Sequence, residues 1–304
     1  MTDAKPIKFI ARARKKLSKG TKAFIILMLA YPVVQFCAVF FFVNARSLLF
    51  VFQKFSWEEG KVVWNGFNNI KLFFTSLNSS RDERMMLINS LLYFPVTCLI
   101  SLPLSIGFSY FLYKKMPLAG VFRIIFFLPS IIPVVALTLA FRIPFDPFIG
   151  FIGKGIPSIN FWGVEPNAQI MVFTYCIWAG LGYNIILLSG AVGRIPADIF
   201  ESARLDGVGP FRELVQFVVP LCWPTIVTLF LLGMTSVLTV FLQPLLLTEG
   251  RLSTNTIALS IYKQTQAGME FVPATTGLIC SAVAAPIILL VRKYMSRLWS
   301  EVEF

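Results

Sequence analysis

Arg194-Ile-Pro-Ala-Asp-Ile-Phe-Glu-Ser-Ala-Arg-Leu-Asp-Gly-Val-Gly-Pro210 is a densely polar, patterned stretch set between two long apolar runs, Ala168 to Ala191 and about Leu214 to Leu242. Pro196 suits the first turn of a helix and Gly207 its C-terminal cap, which leaves room for about three turns between them. Ile199, Phe200 and Ala203 would share one face of that helix, with Asp198, Glu201 and Arg204 towards another. Glu201 and Arg204 stand at the i, i+3 spacing of neighbouring side chains. The small residues Ser202, Ala203 and Gly207 allow close approach by a partner, and Glu201 offers a charge to a partner's arginine. The same pattern also suits a capped helix that merely connects its neighbours, and physical chemistry alone leaves both readings open.

Outward from this loop, the chain is a series of apolar runs. About 20 apolar residues cross a hydrocarbon core of roughly 30 Å. Candidate spans are Ala23 to Val43, about Leu87 to Tyr113, about Val121 to Phe141, Ala168 to Ala191, about Leu214 to Leu242, and Pro273 to Val291. Prolines inside them, such as Pro32, Pro95, Pro103, Pro129, Pro133, Pro220 and Pro224, predict kinked helices whose freed carbonyls are satisfied by neighbours in a bundle. The first run is too long, and its basic flank too extended, for a cleaved signal sequence; it reads as a retained anchor.

Composition agrees. Of 304 residues, 57% are hydrophobic and 14% charged, against about 25% charged in soluble domains. Histidine is absent, which removes the usual general base and the commonest metal ligand. The five cysteines (Cys37, Cys98, Cys176, Cys222 and Cys280) form no CxxC pair and read as small apolar residues. Neither catalytic nor metal-binding residues are expected.

The net charge of +12 is a topology signal before it is a nucleic-acid signal. If the tail carrying Lys5, Lys8, Arg12, Arg14, Lys15, Lys16, Lys19 and Lys22 is cytoplasmic, the even-numbered connections are too. The cytoplasmic side then holds 17 of the 27 basic residues and 7 of the 15 acidic ones, despite having less loop sequence. Attraction to anionic lipid follows from this, and nucleic acid is not an expected partner.

A path for a polar solute needs hydroxyls, amides and aromatic faces inside the bundle. Tyr175, Trp178, Tyr183, Asn184 and Ser189 offer these on the fourth span; Thr235, Ser236, Thr239 and Gln243 do so on the fifth, where the spacing by four predicts that Thr235, Thr239 and Gln243 share a face. The alternative for each is routine hydrogen bonding between membrane helices. Ionisable residues are almost absent from the spans, whereas an ion-coupled pump would be expected to bury some.

The loop resembles the EAA signature of permease subunits in binding-protein-dependent type I ABC importers. That pattern is Glu-Ala-Ala, three residues, Gly, nine residues, Ile, one residue, Leu-Pro; Glu201, Ala203, Gly207 and Pro220 fall at matching positions. Ser202 replaces an alanine, Phe217 the isoleucine and Val219 the leucine. Gly66-Phe-Asn-Asn-Ile, Asn89-Ser90, Phe122-Arg-Ile-Ile-Phe-Phe-Leu-Pro129 and Trp178-Ala-Gly-Leu-Gly-Tyr-Asn184 extend the likeness to nearly the whole chain from Gly66 onward. They point to the carbohydrate branch, the maltose, lactose and glycerol-3-phosphate type. Thr248-Glu-Gly-Arg251 departs from the Thr-x-Gly-Gly-Pro usual there.

The resemblance implies an all-α bundle of six transmembrane helices with both termini cytoplasmic, multi-pass in a bacterial cell membrane. It implies a second permease subunit, two ATPase subunits, an extracytoplasmic solute-binding protein and a sugar substrate. ATP and Mg would be bound by the ATPase partners, since this chain has no GxxxxGK[ST] loop. Glu201, Ser202, Ala203 and Gly207, with Phe200 and Asp206 beside them, would form the helix that docks on the ATPase. The expected organisation is a basic cytoplasmic tail (1–22), an anchor helix (23–43), an external loop or cap (44–86), a five-helix core (87–292) with the coupling helix at about 196–207, and a cytoplasmic tail (293–304). A secondary transporter or channel would explain the hydropathy but not the patterned loop. An intramembrane enzyme lacks paired intramembrane carboxylates as well as histidine.

Overall fold

The structure, a computed structural model, describes residues 18–114 and 117–298. Most of the basic tail, Lys115 and the last six residues lie outside these. The chain divides after Leu49 into two compact units. The first holds most of helix α1 (Lys19–Val51), whose most apolar window is not buried at all. Such a surface is at home in lipid, where an exposed apolar side chain costs nothing. The helix runs eight residues beyond the expected end at Val43, because hydropathy marks where apolar residues stop, not where backbone hydrogen bonding does.

The second unit opens with an antiparallel hairpin of β1 (Gln53–Ser56) and β2 (Lys61–Trp64), in which Gln53 pairs with Trp64 and Ser56 with Lys61. Helix α2 (Asn68–Ser79) follows. Asn69 ties it down by donating to the carbonyl oxygens of Val51 at 2.9 Å and Gln53 at 2.8 Å. Helix α3 (Arg81–Pro95) starts earlier than hydropathy suggests, because Ser80 caps it and Asp82 and Glu83 occupy its first turn. It continues through a π-helical stretch, Val96–Ser101, into α4 (Leu102–Tyr113). A proline ring clashes with the carbonyl four residues before it, and the wider π turn ahead of Pro103 relieves that clash.

The third apolar run does not cross straight. Helix α5 (Ala119–Ile131) and helix α6 (Val134–Arg142, prolonged by a 3-10 turn at Ile143–Phe145) meet at 113°. Ile132 is extended (φ −75°, ψ 136°) because it precedes Pro133. After the short α7 (Phe151–Gly155) comes α8 (Asn167–Val192), the straight central helix. The polar loop forms α9 (Ala197–Leu205). The fifth run is also bent: α10 (Pro210–Glu213), a π stretch at Leu214–Val218 ahead of Pro220, and α11 (Val219–Leu221) meet α12 (Trp223–Thr239) at 80°. Then follow α13 (Leu242–Thr248), α14 (Ile257–Gln266) and α15 (Phe271–Leu298). Among the described residues four helices are long and apolar enough to cross a membrane, or six if each bent pair is one span.

Helices α4 and α5 pack on α8, and α3 packs on α12. Gly182 permits a close approach of α5 to α8: a Cβ there would lie 2.5 Å from the Phe126 carbonyl oxygen. Small residues at such crossings are how membrane helices gain packing energy without a hydrophobic drive. One buried cluster joins Leu102 and Tyr110 of α4, Leu188 and Val192 of α8, Phe200 of α9 and Leu214 beside α10.

Candidate functional site

Helix α9 is fixed at both ends by its own sequence. Pro196 stands immediately before it, Asp198 lies in its first turn and Arg204 in its last, each favourable to the helix dipole. Gly207 takes φ +69°; its N–H reaches the Arg204 carbonyl at 3.0 Å, and the Val208 N–H reaches that of Ala203 at 2.9 Å. This is the Schellman arrangement, and it requires the left-handed residue that glycine supplies.

The two faces of α9 differ as the pattern foretold. Phe200 and Ala203 are buried and Ile199 partly so; Glu201, Ser202 and Asp206 are exposed. Two apolar anchors therefore hold the helix down while its polar edge meets solvent. No ion pair joins Glu201 to Arg204 among the described residues, and both side chains are exposed. An open groove of about 300 Å³ runs alongside, lined by Tyr113, Lys114, Ala197, Phe200, Glu201 and Arg204. Sequence reading missed the partner of its Lys114, the buried Glu213, which pairs with it at 2.6 Å. The partners are 99 residues apart, and no local pattern links them.

The nine residues proposed for a solute path separate, with Ser189 half-buried near the end of α8. Tyr175 and Gln243 line one cavity of about 360 Å³, together with Tyr93, Thr97 and Ser130. The hydroxyls of Tyr93 and Tyr175 are buried without a hydrogen-bond partner among the described residues. A buried hydroxyl left so costs about 1–3 kcal/mol, and water or a solute hydroxyl would relieve it. Trp178 instead stacks on Phe141 with ring centres 5.7 Å apart. Tyr183 is exposed and Asn184 half-buried on α8, away from that cavity. The hydroxyls of Thr235, Ser236 and Thr239 donate to carbonyls of their own helix, those of Leu232, Gly233 and Thr235.

The expected common face of Thr235, Thr239 and Gln243 does not exist. Helix α12 ends at Thr239, Val240 is extended (φ −75°, ψ 108°), and Gln243 belongs to α13. The freed Val240 carbonyl accepts from Thr256 Oγ1 at 2.7 Å, which lets the chain break at membrane depth.

A bundle of long and bent apolar helices, with one capped amphipathic helix presented between two of them, is the architecture of a multi-pass membrane protein. The chain belongs to the family of binding-protein-dependent transport system inner membrane components, whose pattern it matches over residues 100–300. It is a multi-pass inner-membrane protein. It is 29% identical over 214 residues to a probable ABC transporter permease protein of Mycoplasma genitalium, a match covering 64% of this chain and 63% of that protein. It is 24% identical over 309 residues to the diacetylchitobiose uptake system permease protein of Streptomyces coelicolor, covering 92% of this chain and 85% of the relative. Among solved structures it resembles a chain of a bacterial alginate ABC transporter in complex with an alginate pentasaccharide-bound periplasmic protein. There the TM-score is 0.78 at 20% identity, covering 95% of this chain and all of the other.

Proposed function

We infer that this chain is the permease subunit of a bacterial ABC importer for a sugar or oligosaccharide, forming half of the pore beside a second permease subunit. Two separate ATPase subunits bind ATP and Mg, and an extracytoplasmic solute-binding protein delivers the sugar. The observation that carries this is α9: a capped helix anchored by Phe200 and Ala203, with Glu201, Ser202 and Asp206 exposed, inside the stretch matching the family. That geometry suits docking on an ATPase on the cytoplasmic side, the side on which the sequence concentrates its basic residues. The unpartnered tyrosine hydroxyls and Gln243 of the 360 Å³ cavity offer hydrogen bonds to a sugar on its way.

The test is the ATPase activity of the full complex in proteoliposomes, with and without its binding protein loaded from a panel of diacetylchitobiose, maltose and lactose. Glu201→Ala should lower the ratio of stimulated to unstimulated activity about fivefold or more, the range of typical coupling energies. An unchanged ratio would mean that α9 only connects two spans, and failure to recover any ATPase with the chain would sink the importer reading.

A further inference from the structure

Glu213 is a carboxylate where none should be comfortable. It is 2% exposed, next to Leu214 and Val218 in the apolar cluster that also holds Tyr110, Phe200 and Cys222. A buried charge is tolerable only when paired and hydrogen-bonded. Its partner is Lys114, whose Nζ donates to Oε2 at 2.8 Å and lies 2.6 Å from Oε1. Lys114 itself caps the C-terminus of α4, its N–H bonded to the Tyr110 carbonyl at 3.0 Å, where the helix dipole favours a cation. The same ammonium sits 5.4 Å from the centre of the Tyr110 ring and 5.2 Å from that of Phe200, at cation–π range. Tyr113 closes the arrangement, its ring centre 5.3 Å from that of Phe200.

Three elements therefore meet on one charge: the end of α4, distant in sequence, and the neighbouring α10 and buried anchor of α9. The ammonium is held by a carboxylate of one element and by ring faces of the two others, so a shift of any one element bears on the other two. We propose that the Lys114–Glu213 pair, clasped beneath Phe200, is the joint that makes α9 move as one with the ends of α4 and α10, so that both residues position the coupling helix. This rests on the reading of α9 as the helix that meets the ATPase. The surface carboxylate of that helix meets the partner; the clasp carries the displacement into the membrane.

The test uses the same reconstituted complex and sugar panel. Glu213→Gln keeps size and removes the charge that holds Lys114. It should lower the ratio of stimulated to unstimulated ATPase about fivefold, reducing the maximal rate while the half-saturating concentration of loaded binding protein stays as in wild type. Lys114→Arg, which keeps a cation at the joint, should retain most of the stimulation. An unchanged ratio in Glu213→Gln overturns the proposal. If that variant does not assemble, Lys114→Met/Glu213→Leu leaves no buried charge behind and should assemble uncoupled. Normal stimulation in this double variant, or its failure to assemble, would show that the pair only holds the fold and would equally overturn the proposal. Glu201→Ala separates the two readings. Loss of coupling there with normal coupling in Glu213→Gln removes the clasp alone; the reverse removes the docking role of α9.

Discussion

Asn89 shows how single polar side chains hold this bundle. It is 3% exposed, and its Nδ2 donates to the carbonyl oxygens of Ser253 and, at 3.1 Å, Asn255. Ser90 beside it accepts the Ile257 N–H at 2.8 Å. Two adjacent residues of α3 thus satisfy backbone groups of the α13–α14 connection that lipid could not satisfy. Asn89→Ala strands two carbonyls at once and should destabilise the protein by about 1–3 kcal/mol. A thermal melt of the detergent-purified chain checks this; an unshifted midpoint would mean that water replaces the amide. The Asn-Ser pair was visible in the sequence as part of a family likeness, but its partners 164 and 166 residues away were not. The Lys114–Glu213 pair escaped for the same reason: a contact made by folding leaves no mark at short spacing.

At the scale of elements, the sequence separates what is marked locally from what is not. Helix α9 was legible because Pro196 and Gly207 bracket it and apolar residues recur at helical spacing between them. Gly207→Ala forces a Cβ into the left-handed region at a cost of about 1–2 kcal/mol. It should speed hydrogen exchange through α9 while leaving α8 protected; equal exchange in both would show that the cap does not limit the helix. Helix α8 was legible almost to the residue, being one unbroken and predominantly apolar run. The bends were not. A hydropathy sum has no direction, so a run that turns by 113° at Pro133 reads as one span. Prolines announced kinks without giving their size. The break at Val240 and Phe241 carries neither proline nor glycine, which is why Gln243 was placed on a face it does not share.

For the whole molecule, the distribution of basic residues proposes an orientation that places α9 in the cytoplasm and the β1–β2 hairpin outside. Trp57 near the hairpin tip and Leu205 at the end of α9 are each 89% exposed, which makes them equivalent reporters. In a cysteine-free background, Trp57→Cys should react with a membrane-impermeant maleimide in intact cells. Leu205→Cys should react only after permeabilisation. The opposite pattern would invert the topology and with it the docking role of α9. The hairpin and α2 were not foreseen in detail, because strands of four residues each lie below what periodicity can resolve.

The bend between α5 and α6 has a consequence for how such a chain is made. α1 buries none of its most apolar window within its unit and can dissolve in lipid on its own as it leaves the ribosome. α5 is 13 residues long, about 20 Å at 1.5 Å per residue, and too short to cross the bilayer alone. α8, the helix on which it packs most, is translated later, whereas α4, which it also touches, is translated earlier. Until Gly182 emerges to meet Phe126, α5 has only α4 to pack on. The order of synthesis thus builds a waiting step into the insertion of this one span, which is completed by a helix made after it.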